Sequence, residues 1–193
     1  MKLFMFAASL RKDSCNKKLI NVAAAFAKEK GAAVNLVDFS AFSAPLYNAD
    51  VQTSVGFPAE INHFNQLLQE TDGLVIASPE YNFSTPGTLK NVIDWVSRIN
   101  PMPWKNVPIL LMSASPSLVG GNRGLWSTRI PLEACGGFIF PDMFSLASAY
   151  TAFDDNGQLK DKDMSKRLTQ NIADFITYVS VVKNLKNDKN KPI

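Results

Sequence analysis

Short apolar runs alternate with longer amphipathic segments along most of the chain. Five runs have the near-continuous hydrophobicity of strands buried on both faces, and they lie at 2–8, 33–38, 73–77, 107–112 and 137–140, the last extending at most to Leu146. Between them, apolar residues recur at helical spacing, which predicts helices over 16–30, 58–70, 86–99, 122–134 and 161–182. This alternation is typical of an α/β protein with a parallel sheet and helices on both faces.

The length and the charge distribution indicate one domain. The chain has 193 residues, 46% of them hydrophobic and 19% charged, which suits one core. Its net charge of +3 lies entirely in the segment 183–193, which holds four lysines and one aspartate. We therefore predict a domain over 1–182 and a basic, disordered tail over 183–193. A neutral body is not typical of a nucleic-acid-binding protein.

Other patterns exclude several classes of protein. No apolar run approaches the roughly 18 residues of a membrane span, and the apolar start of the chain is interpreted as a strand rather than a secretory signal. Two distant cysteines form no disulfide framework, which favours reduced thiols and a cytoplasmic location. One histidine, His63, and no Cys/His cluster argue against a metal site.

The loops after strands 1, 3 and 4 are the places where a ligand is expected. Ligands of open parallel sheets lie beyond the carboxyl ends of the strands, where the strand order reverses. The loop after strand 1 carries the side chains of Ser9, Arg11, Ser14 and Asn16, which offer hydroxyl, guanidinium and amide groups. Together with free backbone N–H groups and a helix N-terminus, they predict a phosphate cradle. The motif is neither a Walker loop nor a dinucleotide fingerprint, and an ordinary polar turn with an N-cap is the alternative.

The two other loops suit a planar ring. The segment 78–87 contains two prolines and the aromatic residues Tyr81 and Phe83, so it predicts a rigid platform for a heterocycle. The segment 113–123 is rich in small residues, which let a ring approach the backbone closely. A surface turn with an exposed tyrosine and a flexible connection are the respective alternatives.

Two motifs carry a resemblance to a known family. The sequences Ser-Leu-Arg-x-x-Ser-x-Asn at 9–16 and Pro-Glu-Tyr-Asn-x-Ser-x-Pro-Gly-x-Leu-Lys-Asn-x-Ile-Asp-Trp at 79–95 resemble those of the NAD(P)H-dependent FMN reductases. That family includes bacterial quinone, chromate and azo-dye reductases. The resemblance implies a flavodoxin-like three-layer α/β/α fold with a five-stranded parallel sheet in the order 2-1-3-4-5.

The resemblance also implies which residues bind FMN. The first loop would bind the phosphate, the segment 79–82 would line the isoalloxazine and ribityl side, and the third loop would face the other flank of the ring, with Ala114 offering only its backbone. The cofactor-binding positions implied are Ser9, Leu10, Arg11, Ser14, Cys15, Asn16, Pro79, Glu80, Tyr81, Asn82, Ala114 and Ser115.

The implied activity is electron transfer from NADPH or NADH to a small acceptor by a ping-pong mechanism. The flavin N5 accepts the hydride, so no catalytic side chain is required. The acceptor would be a quinone, a flavin, an azo compound or a metal oxyanion, and the protein would form a homodimer or homotetramer. Trp104 and Trp126 are assigned either to a subunit interface or to the flavin. A flavodoxin-type electron carrier and an interaction module that has lost its flavin remain alternatives.

Overall fold

The computed structural model of the protein describes residues 1–189. Its strands are β1 (Lys2–Ala7), β2 (Ala33–Leu36), β3 (Gly73–Ala77), β4 (Pro108–Ala114), β5 (Phe138–Ile139) and β6 (Phe144–Leu146). Its helices are α1 (Cys15–Glu29), α2 (Ala49–Val55), α3 (Ala59–Gln69), α4 (Gly87–Val96), α5 (Asn122–Ala134) and α6 (Lys162–Lys189), with a short 3-10 helix over Phe39–Phe42.

The strands form one parallel sheet in the order β2-β1-β3-β4-β5, which confirms the predicted order. The predicted fifth strand is divided into two pieces. β5 pairs with the start of β4 and β6 pairs with its end, from Met112 to Ala114. Pro141 lies between the two pieces and has no N–H to donate to a ladder, which accounts for the interruption.

Two hydrophobic clusters lie on opposite faces of the sheet. Side chains alternate along β1, so that Leu3 and Met5 join the cluster under α1 and α6, whereas Phe4 and Phe6 join the cluster under α3 and α4. Helices therefore cover both faces, and the predicted three-layer architecture is confirmed.

The connection over 39–57 is more ordered than its sequence pattern suggests. It contains the 3-10 helix and α2, and the pattern misses α2 because none of its residues is buried. The start of α2 is instead fixed by Asn48, whose side chain accepts the N–H of Asp50. The indole N–H of Trp95 donates to the carbonyl of Pro45 at 2.8 Å and joins the connection to α4.

The last helix also differs from the prediction. The sequence predicts its end at 182, but α6 continues to Lys189, so the predicted start of the disordered tail falls inside the helix. The Lys183 ammonium lies 2.7 Å from the Asp72 carboxylate, and this ion pair holds the helix against the start of β3. The rest of the predicted tail, 190–193, lies outside the described residues. Among residues 1–189, no helix has both the length and the hydrophobicity that crossing a membrane requires.

Candidate functional site

Three loops meet around one cavity at the carboxyl ends of the strands. The cavity has a volume of about 90 Å³ and brings together ten of the twelve predicted positions, namely Ser9, Arg11, Ser14, Cys15, Asn16, Pro79, Glu80, Tyr81, Ala114 and Ser115. Pro116 and Tyr150 complete its lining. The loops that follow β1, β3 and β4 are those that the switch-point rule selects.

One wall of the cavity is a set of hydrogen-bond donors. Ser14 caps α1, and its Oγ accepts the Asn16 N–H at 3.2 Å, which leaves the hydroxyl hydrogen free to donate. The backbone N–H groups of Arg11 and Cys15, two residues that line the cavity, form no hydrogen bond within residues 1–189. The Arg11 guanidinium forms no ion pair with any carboxylate of residues 1–189. These groups, together with the positive end of α1, are suited to a phosphate dianion.

The size of the cavity fits the phosphate end of FMN but not the whole cofactor. A pocket that encloses a drug-sized ligand has a volume of about 300 Å³ or more, well above the 90 Å³ found here. The tricyclic ring would therefore extend beyond the cavity, over the rims of the second and third loops. The donor set and the dimensions fit an anchored phosphate with an exposed ring.

Asn16 fastens α1 to the end of β4. Its Nδ2 donates to the Ala114 carbonyl at 2.9 Å, and its Oδ1 accepts the Ala114 N–H at the same distance. Both residues are buried. Asn16 thus shapes the cavity by joining two of its walls, and only one amide hydrogen remains for a ligand. The resemblance implies that Ala114 offers its backbone to the ring, but both its N–H and its carbonyl are already bonded to Asn16.

The loop after β3 forms a tight hairpin turn. Tyr81 and Ser84 exchange backbone hydrogen bonds of 3.1 and 3.0 Å, and the two residues between them have positive φ angles, +51° at Asn82 and +63° at Phe83. Two positive φ angles are the signature of a type I′ turn. Asn82 occupies the tip of this turn and does not line the cavity.

Glu80 lines the cavity, but its carboxylate points to the start of α5. Oε2 accepts the Gly124 N–H at 2.8 Å, and Oε1 lies 3.6 Å from Nε of Arg123. The Arg123 guanidinium in turn lies 3.7 Å from the ring centroid of Phe83. The carboxylate is therefore engaged within the protein.

Several other residues lie elsewhere than the sequence suggests. Leu10 is half exposed and borders a separate apolar cavity of about 300 Å³, together with Phe39, Phe42 and Leu46. Trp104 is fully buried against Phe64, so its assignment to an interface or to the flavin is wrong.

Among residues 1–189, no group of three or more His, Cys, Asp or Glu side chains is arranged to hold a metal ion.

Tyr150 is the lining residue that lies outside the three loops selected from the sequence. It follows β6, whose carboxyl end lies at the same edge of the sheet as the ends of β1, β3 and β4. The switch-point rule concentrates attention on the central strands, whereas an aromatic residue just beyond the outer strand carries the same positional signal.

Comparisons with known proteins agree with this geometry. A family model described as NADPH-dependent FMN reductase matches residues 1–151. The quinone reductase of Escherichia coli K12 is 31% identical over 189 residues, covering 95% of this chain and 97% of that protein. An NAD(P)H-dependent FMN reductase of Pseudomonas aeruginosa is 34% identical over 177 residues, covering 88% and 90%.

Solved structures show the same fold. The flavoenzyme FerB of Paracoccus denitrificans, an NAD(P)H:acceptor oxidoreductase, superimposes with a TM-score of 0.79 at 24% identity and covers 93% of this chain and 97% of its own. Flavodoxin 1 of Bacillus cereus superimposes with a TM-score of 0.59 at 11% identity and covers 92% and 98%. The resemblance expected from the two motifs is confirmed, and the chain belongs to the NADPH-dependent FMN reductase family of flavin oxidoreductases.

Proposed function

We propose that this chain binds FMN with its phosphate in the cavity over Ser9–Asn16 and uses NADPH or NADH to reduce a quinone. The observation that carries the proposal is the convergence of free donors on one side of the cavity. The N–H groups of Arg11 and Cys15, the Ser14 hydroxyl and the Arg11 guanidinium all belong to cavity-lining residues of one turn at the start of α1, and the guanidinium forms no ion pair within residues 1–189. A phosphate group accepts several hydrogen bonds at once and is favoured by the positive end of the helix.

The protein's own residues bind and orient rather than react. FMN, when bound, supplies the hydride acceptance and the onward electron transfer, so no nucleophile or general base is needed. The turn at Ser9–Ser14 would hold the phosphate, and Pro79 and Tyr81 would support the ring from the second loop. Because the ring would lie outside the enclosed cavity, the donor and the acceptor can use the same open face in turn, as a ping-pong mechanism requires.

The acceptor class follows from the relatives. The Escherichia coli relative is named a quinone reductase, and a plant relative from Solanum tuberosum, 33% identical over 172 residues, is named an NAD(P)H:quinone oxidoreductase. We therefore place quinones first among the acceptors and keep free flavins, azo compounds and metal oxyanions such as chromate as members of the same test panel.

Anaerobic stopped-flow spectroscopy tests this function. FMN-loaded protein is mixed with NADPH or NADH, and absorbance near ~450 nm is followed before a quinone, FMN, an azo dye or chromate is added. We expect bleaching by at least one nicotinamide and recovery on adding the quinone. Bleaching only through a partner reductase would identify an electron carrier, and failure to bind FMN at all would identify a module without flavin.

We also propose that two or more copies associate through an exposed apolar stripe on α5. Trp126 and Ile130 lie one turn apart on this helix and are exposed. The exposed Phe83 ring packs against the guanidinium of Arg123, which lies one turn before Trp126 on the same helix. Large exposed apolar side chains in one patch are typical of subunit interfaces. Sedimentation velocity of Trp126→Glu should show monomers, whereas Val55→Glu, an equally polar change at another exposed position, should sediment like the parent protein. Identical sedimentation of all three would contradict this interface.

A cytoplasmic location is part of the same proposal. Cys15 and Cys135 are both free thiols, the state that a reducing compartment maintains. Cell fractionation with an antibody to the protein tests it, and recovery in an exported fraction would overturn it.

A further inference from the structure

The start of α5 holds the loop that follows β3. All the side-chain hydrogen bonds made by Glu80, Ser84 and Thr85 go to this helix. The Ser127 hydroxyl lies 2.8 Å from the Ser84 hydroxyl and 3.3 Å from the Thr85 N–H. The Ser78 N–H fixes the start of the loop by donating to the Met112 carbonyl of β4, and among residues 1–189 only α5 anchors the loop through side-chain bonds.

Gly124 permits the closest of these contacts. A Cβ added at this position would lie 2.9 Å from Cβ, 3.0 Å from Cα and 3.1 Å from Cγ of Glu80. The nearest of these distances is shorter than real side chains adopt, and one of the atoms is backbone. Glycine is therefore required here for the loop to lie against the helix, although alanine is otherwise the better helix former.

Glu80 also replaces a missing N-cap. The residue before α5 is Gly121, which has no side chain to accept the first N–H groups of the helix. The Glu80 carboxylate accepts the Gly124 N–H and is held by a charge-assisted bond at the positive end of the helix. Its side chain is only 7% exposed. This one hydrogen bond gives an acceptor to an N–H group in the first turn of α5 and fixes the Glu80 side chain of the loop.

The loop needs such support because its turn is strained. Phe83 has a φ of +63° and its side chain is largely exposed, so neither glycine's freedom nor burial favours this conformation. Strained backbone persists where the surroundings over-determine it. Here the surroundings are the helix contacts of Glu80 and Ser84, with Arg123 stacked on the ring.

We propose that the Glu80–Gly124 contact is a clamp that positions the flavin-facing loop. Glu80 is a positioning residue whose carboxylate acts on the cofactor only through the geometry of Pro79 and Tyr81. This inference rests on the proposed function, since it presumes that FMN lies against the loop. Its consequence is that the Glu80 side chain affects FMN binding through its shape and its acceptor oxygen, while its negative charge acts on α5 and Arg123 rather than on FMN.

Three substitutions separate this role from direct contact. Glu80→Gln keeps an oxygen that accepts the Gly124 N–H, Glu80→Ala removes it, and Gly124→Ala displaces Glu80 while leaving its charge intact. FMN affinity is measured by quenching of FMN fluorescence, and unfolding is followed by circular dichroism. We expect Glu80→Ala and Gly124→Ala to weaken FMN binding about tenfold, as loss of one hydrogen bond's contribution does, and Glu80→Gln to stay within about threefold of the parent.

Two controls keep the result interpretable. Leu168→Ala destabilises the buried core under α6, away from the loop, and should lower the unfolding temperature without changing FMN affinity. If Glu80→Ala does not fold, Ser127→Ala, which removes the bonds to Ser84 and Thr85, should show the loss of affinity instead. If Glu80→Gln lost as much FMN affinity as Glu80→Ala while Gly124→Ala kept the parent affinity, the clamp would be overturned. That result would instead show that the Glu80 charge acts on FMN directly. Parent affinity in all the clamp variants would also overturn it, whereas a parent protein that binds no FMN would instead refute the proposed function.

Discussion

Replacing Asn16 by alanine should loosen the cofactor cavity and the fold together. The substitution removes both 2.9 Å hydrogen bonds that join α1 to the end of β4. Each bond contributes about 1 kcal/mol net, and the buried Ala114 N–H and C=O would be left without their partner, at a further cost of about 1–3 kcal/mol. Because water can reach these groups from the cavity, we expect a total loss of about 2–4 kcal/mol in the free energy of unfolding.

Thermal and denaturant unfolding measure this loss. For a chain of this length, 1 kcal/mol corresponds to a shift of about 2–4 °C, so Asn16→Ala should unfold about 5–15 °C below the parent. FMN affinity should fall as well, because Asn16 and Ala114 both line the cavity. The matched control is Asn21→Ala on the exposed side of the same helix, which should unfold within about 0.5 kcal/mol of the parent.

Two results would show that Asn16 does not connect α1 to β4. If Asn16→Ala unfolded within about 0.5 kcal/mol of the parent, the paired hydrogen bonds would not be a structural connection between α1 and β4. If Asn21→Ala lost as much stability as Asn16→Ala, the effect would belong to the helix in general rather than to the contact with Ala114.

Two further predictions concern a surface ion pair and the strained turn. A hydrogen bond from Lys17 and another from a neighbouring backbone N–H hold the pKa of Asp38 at about 2, below its ordinary 3.8. The Asp38 carboxylate therefore stabilises the fold above pH ~4, and this contribution is lost as pH falls from about 4 to about 2. In an NMR titration, Lys17→Ala should return the pKa of Asp38 towards its ordinary value. The same change should lower the free energy of unfolding at pH 7 by under about 1 kcal/mol, because the ion pair is partly exposed. An unchanged Asp38 pKa in Lys17→Ala, or an equal shift in the control Lys28→Ala, would contradict this prediction. Phe83→Gly should be more stable than Phe83→Ala by about 1 kcal/mol in urea unfolding, because glycine after Asn82 relieves the positive φ and gives the preferred Asn-Gly turn. Equal stability of the two variants would show that the turn stores no strain.

The sheet and the position of the site follow from local sequence patterns. Each central strand is an apolar run long enough to be recognised by itself, and the parallel order places the ends of β1, β3 and β4 together. The polar turn over Ser9–Asn16 is therefore predicted from the sequence to lie at the same edge as Pro79 and Ala114. Ten of the twelve predicted positions do line one cavity, while their contacts with FMN stay a prediction.

What the sequence does not show are partners that are distant along the chain. Nothing local distinguishes an Asn16 that donates to a ligand from one that binds Ala114, 98 residues away. The same holds for Glu80, which lies 44 residues before its partner Gly124. Leu10 and Asn82 belong to the right motifs, but their places beside another cavity and at the tip of a turn depend on the direction of each side chain and on backbone φ. α2 escapes because it buries no residue and so leaves no periodic pattern.

The proposed binding of the FMN phosphate by the turn over Ser9–Asn16 can be measured by comparing the affinities for FMN and riboflavin. Riboflavin has the same ring and ribityl chain without the phosphate, so the ratio of the two dissociation constants isolates the phosphate contribution. A charge-assisted hydrogen bond contributes about 1.5–3 kcal/mol, so Arg11→Ala should weaken FMN binding by about 10- to 100-fold and leave riboflavin binding unchanged. Lys12→Ala, a neighbouring exposed cation that does not line the cavity, should leave both constants unchanged. Equal affinity of the parent protein for FMN and riboflavin, or an equal effect of Arg11→Ala on both, would show that the turn does not bind the phosphate.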